Sequence, residues 1–255
     1  MKIVLTGSSG FIGSKLKIFL SKRKYKVINL NLRQINKIDK KNIFEELEAI
    51  KNISVIINCA ASLKPKKLRD FQINEKLPRI FEQFSKKKMI KFIHISTINV
   101  LFSKRLDKYS ISKKKGELNL NKQYSTILRL PLIINTKQKK ILNQGEISFF
   151  YKYLRFIKLP IYPFIYPGCN YRPLELYNLC KYIIKAINQK KNEQINLQGK
   201  YQINSFELFK LICNQEKKKY LKINILWIKD IIPNLIKKHL YKSQFFQQIL
   251  SLDNT

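Results

Sequence analysis

The segment Thr6-Gly7-Ser8-Ser9-Gly10-Phe11-Ile12-Gly13 follows directly on the apolar run Ile3-Val4-Leu5, and no other stretch constrains the chain as much. An apolar strand that breaks into glycines and restarts as a helix is suited to holding a phosphate. Glycine permits positive φ and close approach of the backbone to a ligand. A helix starting near Phe11 presents unpaired N–H groups and the positive end of its dipole to an anion. The glycines stand at intervals of three and three, whereas the more familiar dinucleotide fingerprint has two and three. Such a turn also serves as a plain strand–helix connection. Its place between a clean strand and a clean helix favours the ligand.

The first 135 residues alternate strand and helix patterns. Strands are expected at residues 3–6, 27–32, 54–58, 92–95 and 126–130. Helices are expected at 11–22, 42–50, 71–84 and 109–120. The continuous apolar run before Asn58 is what a strand covered on both faces requires. Alternation of this kind predicts an α/β fold, a Rossmann-like doubly wound parallel sheet with ligand at the carboxyl ends of its strands. We read 1–135 as the dinucleotide-binding core and 136–255 as a small substrate-binding lobe and tail, interleaved with the core.

After Pro131 the pattern changes. Aromatic residues such as Phe149, Tyr151, Phe156 and Tyr162 interleave with Lys152, Arg155 and Lys158. A substrate lobe, a packed cap and an interfacial membrane segment all fit that composition. Prolines at 160, 163, 167 and 173 argue against one long amphipathic helix and favour a lobe or cap. Helices are expected at 174–188 and 205–213, with a short strand at 194–197, whereas the stretch from Ile223 onwards has no assignment.

The chain of 255 residues carries 51 Lys and Arg against 16 Asp and Glu, a net charge of +35. Nucleic-acid binding is the sharp reading of that excess. Yet lysines are spread through every segment, so a tolerant surface explains them better, with weak attraction to an anionic membrane surface as a by-product. No specific nucleic-acid partner is expected. No run is long and apolar enough to span a membrane. The cysteines Cys59, Cys169, Cys180 and Cys213 show no CxxC pairing, and with His94 and His239 the sole histidines no metal site is expected. Reduced thiols fit a cytoplasmic location.

A second feature is Tyr109-Ser110-Ile111-Ser112-Lys113. Side chains at i and i+4 share a helix face, so a phenol and an ammonium can enter one site. A nearby cation favours phenolate and suits the tyrosine to acid–base work. The spacing alone is common in a lysine-rich chain. Ser96-Thr97, at the end of the fourth strand, strengthens it, because a hydroxyl there opens on the same sheet edge as the glycine turn. A turn cap is the alternative role for Thr97.

Taken together, these residues resemble the extended short-chain dehydrogenase/reductases of the NAD-dependent epimerase/dehydratase family. The likeness rests on Thr6 to Gly13, Ile57-Asn58-Cys59-Ala60-Ala61, Asn74, Phe92 to Thr97, Tyr109 to Lys113 with Glu117, and Leu128-Arg129-Leu130-Pro131. The resemblance implies that Gly7, Ser9, Gly10, Phe11, Ile12 and Gly13 cradle the pyrophosphate of NAD or NADP, with Ala60 and Ala61 alongside. It implies that Tyr109 is the acid/base and that Lys113 tunes it and holds the nicotinamide ribose. Thr97 would bind the reacting sugar oxygen, and Arg172 would suit a nucleotide diphosphate. The activity implied is a nucleotide-sugar 4-epimerase or 4-keto reductase of cell-surface polysaccharide synthesis, working as a homodimer. A non-catalytic cofactor-binding subunit is the alternative, against which the intact Thr97, Tyr109 and Lys113 speak.

Departures from the family pattern sharpen the reading. Ile98 and Asn99 stand where family dehydratases carry an acidic pair, which disfavours dehydration. Asn31 replaces the acid that binds the ribose hydroxyls of NAD. Arg33 beside it can accommodate a 2′-phosphate. Asn178 replaces the usual Asp of the carboxy-terminal lobe.

Overall fold

The structure is a computed structural model, and it describes residues 1–102, 107–135, 154, 159–166 and 170–224. The chain divides into two units, Met1–Leu130 with Leu176–Leu197, and Pro131–Glu175 with the residues from Gln198 onward.

The first unit is built on β1 (Lys2–Thr6), α1 (Phe11–Ser21), β2 (Lys26–Leu30), α2 (Lys40–Glu48), β3 (Val55–Asn58), α3 (Leu68–Glu75), α4 (Leu77–Lys88), β4 (Lys91–Thr97), a 3-10 turn (Ile98–Leu101), α5 (Lys108–Leu118) and β5 (Thr126–Leu130). The sheet order is β10-β5-β4-β3-β1-β2, where β10 (Gln194–Asn196) follows α6 (Leu176–Asn188), and every pairing is parallel. This is the expected Rossmann-like α/β sheet. The chain order reverses between β1 and β3, and in such sheets that crevice takes the ligand.

Strand alternation sends Val4, Ile56, Phe92 and Ile127 to one face, where Ile43 and Leu47 of α2 and Leu77, Phe81 and Phe84 of α4 complete a buried cluster. Helices α1 and α6 pack together and against β1 and β4, with Phe19 edge-on to Tyr177. The strand expected at 126–130 has those bounds; its neighbours differ by a residue or two. In this unit one expected helix is corrected. The helix expected over 71–84 is two helices, because Pro78 lies in the first turn of α4. Proline has no N–H to continue a preceding helix and disfavours helical backbone just before it, but it suits a first turn.

Among its described residues the second unit contains three short strand pairs: β6 (Ile133–Ile134) with β9 (Leu174–Glu175), β7 (Tyr162–Tyr166) with β12 (Tyr220–Asn224), and β8 (Asn170–Tyr171) with β11 (Ile203–Asn204). Residues 174 and 175, expected in a helix, therefore belong to a strand. Helix α7 (Ser205–Gln215) starts with a reciprocal cap between Asn204 and Glu207. Its Leu208, Phe209, Ile212 and Cys213 pack with Leu154, Tyr162 and Phe164. Most of the aromatic segment at 149–158, and the chain beyond Asn224, lie outside the described residues. No described helix is long and apolar enough to cross a membrane.

Candidate active site

Gly7 ends β1 with φ +67, a conformation that glycine adopts without strain. A side chain there would stand 2.7 Å from the backbone of Cys59 and Ala60, so the glycine turn and the loop after β3 touch directly. The Gly10 N–H donates to the Gly7 carbonyl at 3.0 Å, closing the turn. Gly10 then caps α1 without any side-chain hydrogen bond, which leaves the first-turn N–H groups of Phe11, Ile12 and Gly13 open to a ligand. A backbone cradle with no Cβ and an uncapped helix start fit a pyrophosphate. Ser9 lies within the turn.

The loop after β3 is held from several sides. Asn74 of α3, fully buried, accepts from the Ser62 N–H at 2.9 Å and donates to the Ser62 carbonyl at 2.9 Å and to Ser112 Oγ of α5 at 2.9 Å. Gly116 lets α5 press against the Asn74 backbone, where a Cβ would overlap its carbonyl oxygen. Ala60 and Ala61 thus sit on a fixed segment beside the glycine turn. On the other side, Arg69 donates to the carbonyls of Leu32, Ile35 and Asn36 at 2.5, 2.7 and 2.7 Å, which fixes the loop after β2. That loop carries Asn31, whose side chain accepts from the Arg33 N–H at 3.2 Å. Both side chains are exposed, and among the described residues no acid pairs with Arg33.

Thr97 closes β4 and is largely buried. Its oxygen accepts from the Asn99 N–H at 3.3 Å, capping the 3-10 turn, so the cap role is real. The O–H remains a donor. Asp107 caps α5, accepting from the Ser110 N–H at 2.9 Å and from its hydroxyl at 2.7 Å. Tyr109 and Lys113 follow one turn apart on α5, which packs on β4 and the 3-10 turn. Tyr109 is half-buried and Lys113 only 1% exposed. Lys113 Nζ donates to the Ile95 carbonyl at 2.8 Å and lies 3.2 Å from His94 Nε2. Burial pulls the lysine down from 10.5 to about 8, with Glu117 and Cys59 opposing the shift. Glu117, one turn further, forms a buried bidentate pair with Arg129 of β5, at 2.6 Å from the guanidinium NH2 and 2.9 Å from Nε. Arg172 lies in the second unit, where it donates to Gln198 at 3.4 Å.

Asn74, His94 and Arg69 are not expected as site residues from the sequence, whereas Asn58 is read there together with the glycine turn, Thr97, Tyr109 and Lys113. A signal existed for His94 and Asn58, each a polar residue within or ending an apolar strand.

Residues 1–125 match the family model described as the RmlD substrate binding domain. No curated protein sequence matches the chain. Among solved structures, a dTDP-4-dehydrorhamnose reductase from Bacillus anthracis, in complex with NADP, is 16% identical, with 88% of this chain and 83% of that chain covered and a TM-score of 0.70. A hypothetical dTDP-4-dehydrorhamnose reductase from Sulfolobus tokodaii is 24% identical, covering 88% and 86% at a TM-score of 0.68. A UDP-glucose 4-epimerase from Thermotoga maritima, with UDP-glucose, is 19% identical, covering 87% and 86% at a TM-score of 0.68. The chain is thus similar to the RmlD substrate binding domain over its first 125 residues, and it shares the fold of these three solved structures.

Proposed function

We propose that this protein is an NADP-dependent oxidoreductase that reduces the 4-keto group of a nucleotide sugar. The observation that carries the reading is the burial of Lys113 against the Ile95 carbonyl, two residues before Thr97 on the sheet edge shared with the glycine turn. The cofactor would supply hydride. Backbone N–H groups of Phe11, Ile12 and Gly13 would hold its pyrophosphate within the turn that Gly7 and Gly10 close, and Ala60 and Ala61 would line its path. The Thr97 O–H orients the substrate carbonyl, and the Tyr109 phenol gives its proton to that oxygen as negative charge develops. Lys113 supports the tyrosine from below.

Several features choose among family reactions. Ile98 and Asn99 offer no carboxylate after Thr97 for elimination of water. The reductases named above and the matched family model favour reduction over epimerisation. Asn31 and Arg33, which no acid pairs with among the described residues, favour the 2′-phosphate of NADP, since a carboxylate there would repel it. The test is binding of NADPH and NADH, followed by a screen of 4-keto UDP-, dTDP- and GDP-sugars for NADPH oxidation. Binding without turnover of any sugar would favour the non-catalytic alternative. Failure to bind either cofactor would remove the reading.

A further inference from the structure

Thr6, Asn58 and His94 are register neighbours across β1, β3 and β4, and with Lys113 they form one buried chain of hydrogen bonds. Its polarity follows from a single donor that cannot change role. The Ala60 backbone N–H donates to Asn58 Oδ1 at 3.2 Å and, at the longer distance of 3.4 Å, to Thr6 Oγ1, which itself donates to the Asn58 oxygen at 2.7 Å. The Asn58 oxygen therefore faces Ala60, and Asn58 Nδ2 donates to His94 Nδ1 at 3.2 Å. A neutral imidazole with a bare Nδ1 carries its proton on Nε2. That N–H points at Lys113 Nζ, 3.2 Å away. The lysine must then accept, and only a neutral amine can.

An ammonium at Lys113 reverses every link. Nε2 must accept, the ring proton must move to Nδ1, and the Asn58 amide must turn its oxygen to His94. Its Nδ2 would then face the Ala60 N–H, which keeps only the longer bond to Thr6 Oγ1, at 3.4 Å. Asn58 and His94 are both fully buried, so protein groups must satisfy each atom.

We propose that His94 is a positioning residue that ties the charge of Lys113 to the loop after β3. Neutral Lys113 goes with the Nε2–H tautomer and the Asn58 oxygen on Ala60, and ammonium Lys113 goes with the Nδ1–H tautomer and the reversed amide. One proton enters Nζ from water, while the ring proton only changes nitrogen and the imidazole stays neutral. Its catalytic meaning rests on the oxidoreductase reading, because the lysine one turn from Tyr109 on α5 then changes charge as the hydrogen bonding of the segment Ala60–Ala61 changes. Among the described residues the titratable groups facing Lys113 are His94 from β4, Cys59 after β3 and Glu117 on α5, the last already paired with Arg129. Burial holds His94 well below its ordinary value, which keeps the ring neutral throughout.

The test uses the full chain without cofactor, labelled with 15N-histidine and 13C-lysine, titrated from about pH 6 to about pH 11 by NMR. His94 is expected to pass from Nδ1–H to Nε2–H with the same midpoint as Lys113. A single His94 tautomer through the whole Lys113 titration would overturn the proposal. In Asn58→Asp the carboxylate can only accept, so His94 should stay Nδ1–H and the Lys113 midpoint should rise by about one pH unit or more; an unchanged midpoint contradicts the switch. Should that variant not fold, Lys113→Met serves, in which His94 must keep one tautomer across the range. Neither measurement involves cofactor. A fixed tautomer removes the switch and leaves the oxidoreductase reading intact, whereas failure to bind NADPH or NADH does the reverse.

Discussion

Gly13 of α1 faces the carbonyl of Gly7 so closely that a Cβ would overlap the oxygen. The first turn of the helix is thereby laid directly over the glycine turn, and it carries the N–H groups proposed to hold a phosphate. Gly13→Ala must push helix and turn apart. We expect it to weaken NADPH binding at least about tenfold and to lower stability by about 1–3 kcal/mol. Fluorescence titration with NADPH and urea denaturation check both. Unchanged affinity would show that this turn does not hold the cofactor.

The Glu117–Arg129 pair is buried, with side-chain exposures of 6% and 16%. Removing one charge leaves the other without its partner in a poorly hydrated place. Glu117→Gln should cost about 3 kcal/mol in chemical denaturation. It should also lower Lys113 further, because Glu117 is the largest influence holding that lysine up. A loss under about 0.5 kcal/mol would place the pair among ordinary surface contacts.

Lys113 gives stability a defined pH dependence. Its folded value is about 8 against 10.5 unfolded, so between those values the unfolded chain binds more protons and stability rises with pH. Below about 8 the cost of burying the ammonium is fully present. Lys113→Met should therefore be more stable than the wild type at pH 7, by up to about 3 kcal/mol. That advantage should shrink as pH climbs toward 10.5. Denaturation of both proteins across this window is the check, and a difference independent of pH would contradict the lysine's depressed value.

Asn31 and Arg33 stand on a loop that Arg69 anchors through three carbonyls. Arg33→Ala should weaken NADPH about tenfold or more while leaving NADH nearly unchanged. Asn31→Asp should shift preference toward NADH, since the new carboxylate repels a 2′-phosphate and accepts from ribose hydroxyls. Titration of both variants with both cofactors decides it. Equal losses for NADPH and NADH would remove the 2′-phosphate from this account.

Much of the frame is legible in the sequence because it is written locally. Strand β5 and the Ile3-Val4-Leu5 run are short apolar segments flanked by polar residues. The glycine spacing marks the turn, and Tyr109 and Lys113 share a helix face by simple periodicity. The break between α3 and α4 was legible too, in Pro78, but an apolar pattern running through 71–84 masked it. The buried polar chain is harder to read. Asn58, His94 and Asn74 find partners 36 to 52 residues away, or across helices, such as Thr6 for Asn58 and Ser112 for Asn74. Periodicity marks such a residue as misplaced among apolar neighbours without naming what satisfies it. Strand β10 likewise returns to pair with β5 from more than sixty residues on, a contact no local pattern carries.

The central claim is that Tyr109 transfers a proton during reduction of a nucleotide-bound 4-keto sugar. Its most direct test is NADPH oxidation with such a sugar in wild type and Tyr109→Phe, alongside NADPH affinity in each. The wild type is expected to turn over, Tyr109→Phe to lose about 10²–10⁴ in rate, and the two affinities to lie within about threefold of each other. Equal turnover in the two proteins would contradict it.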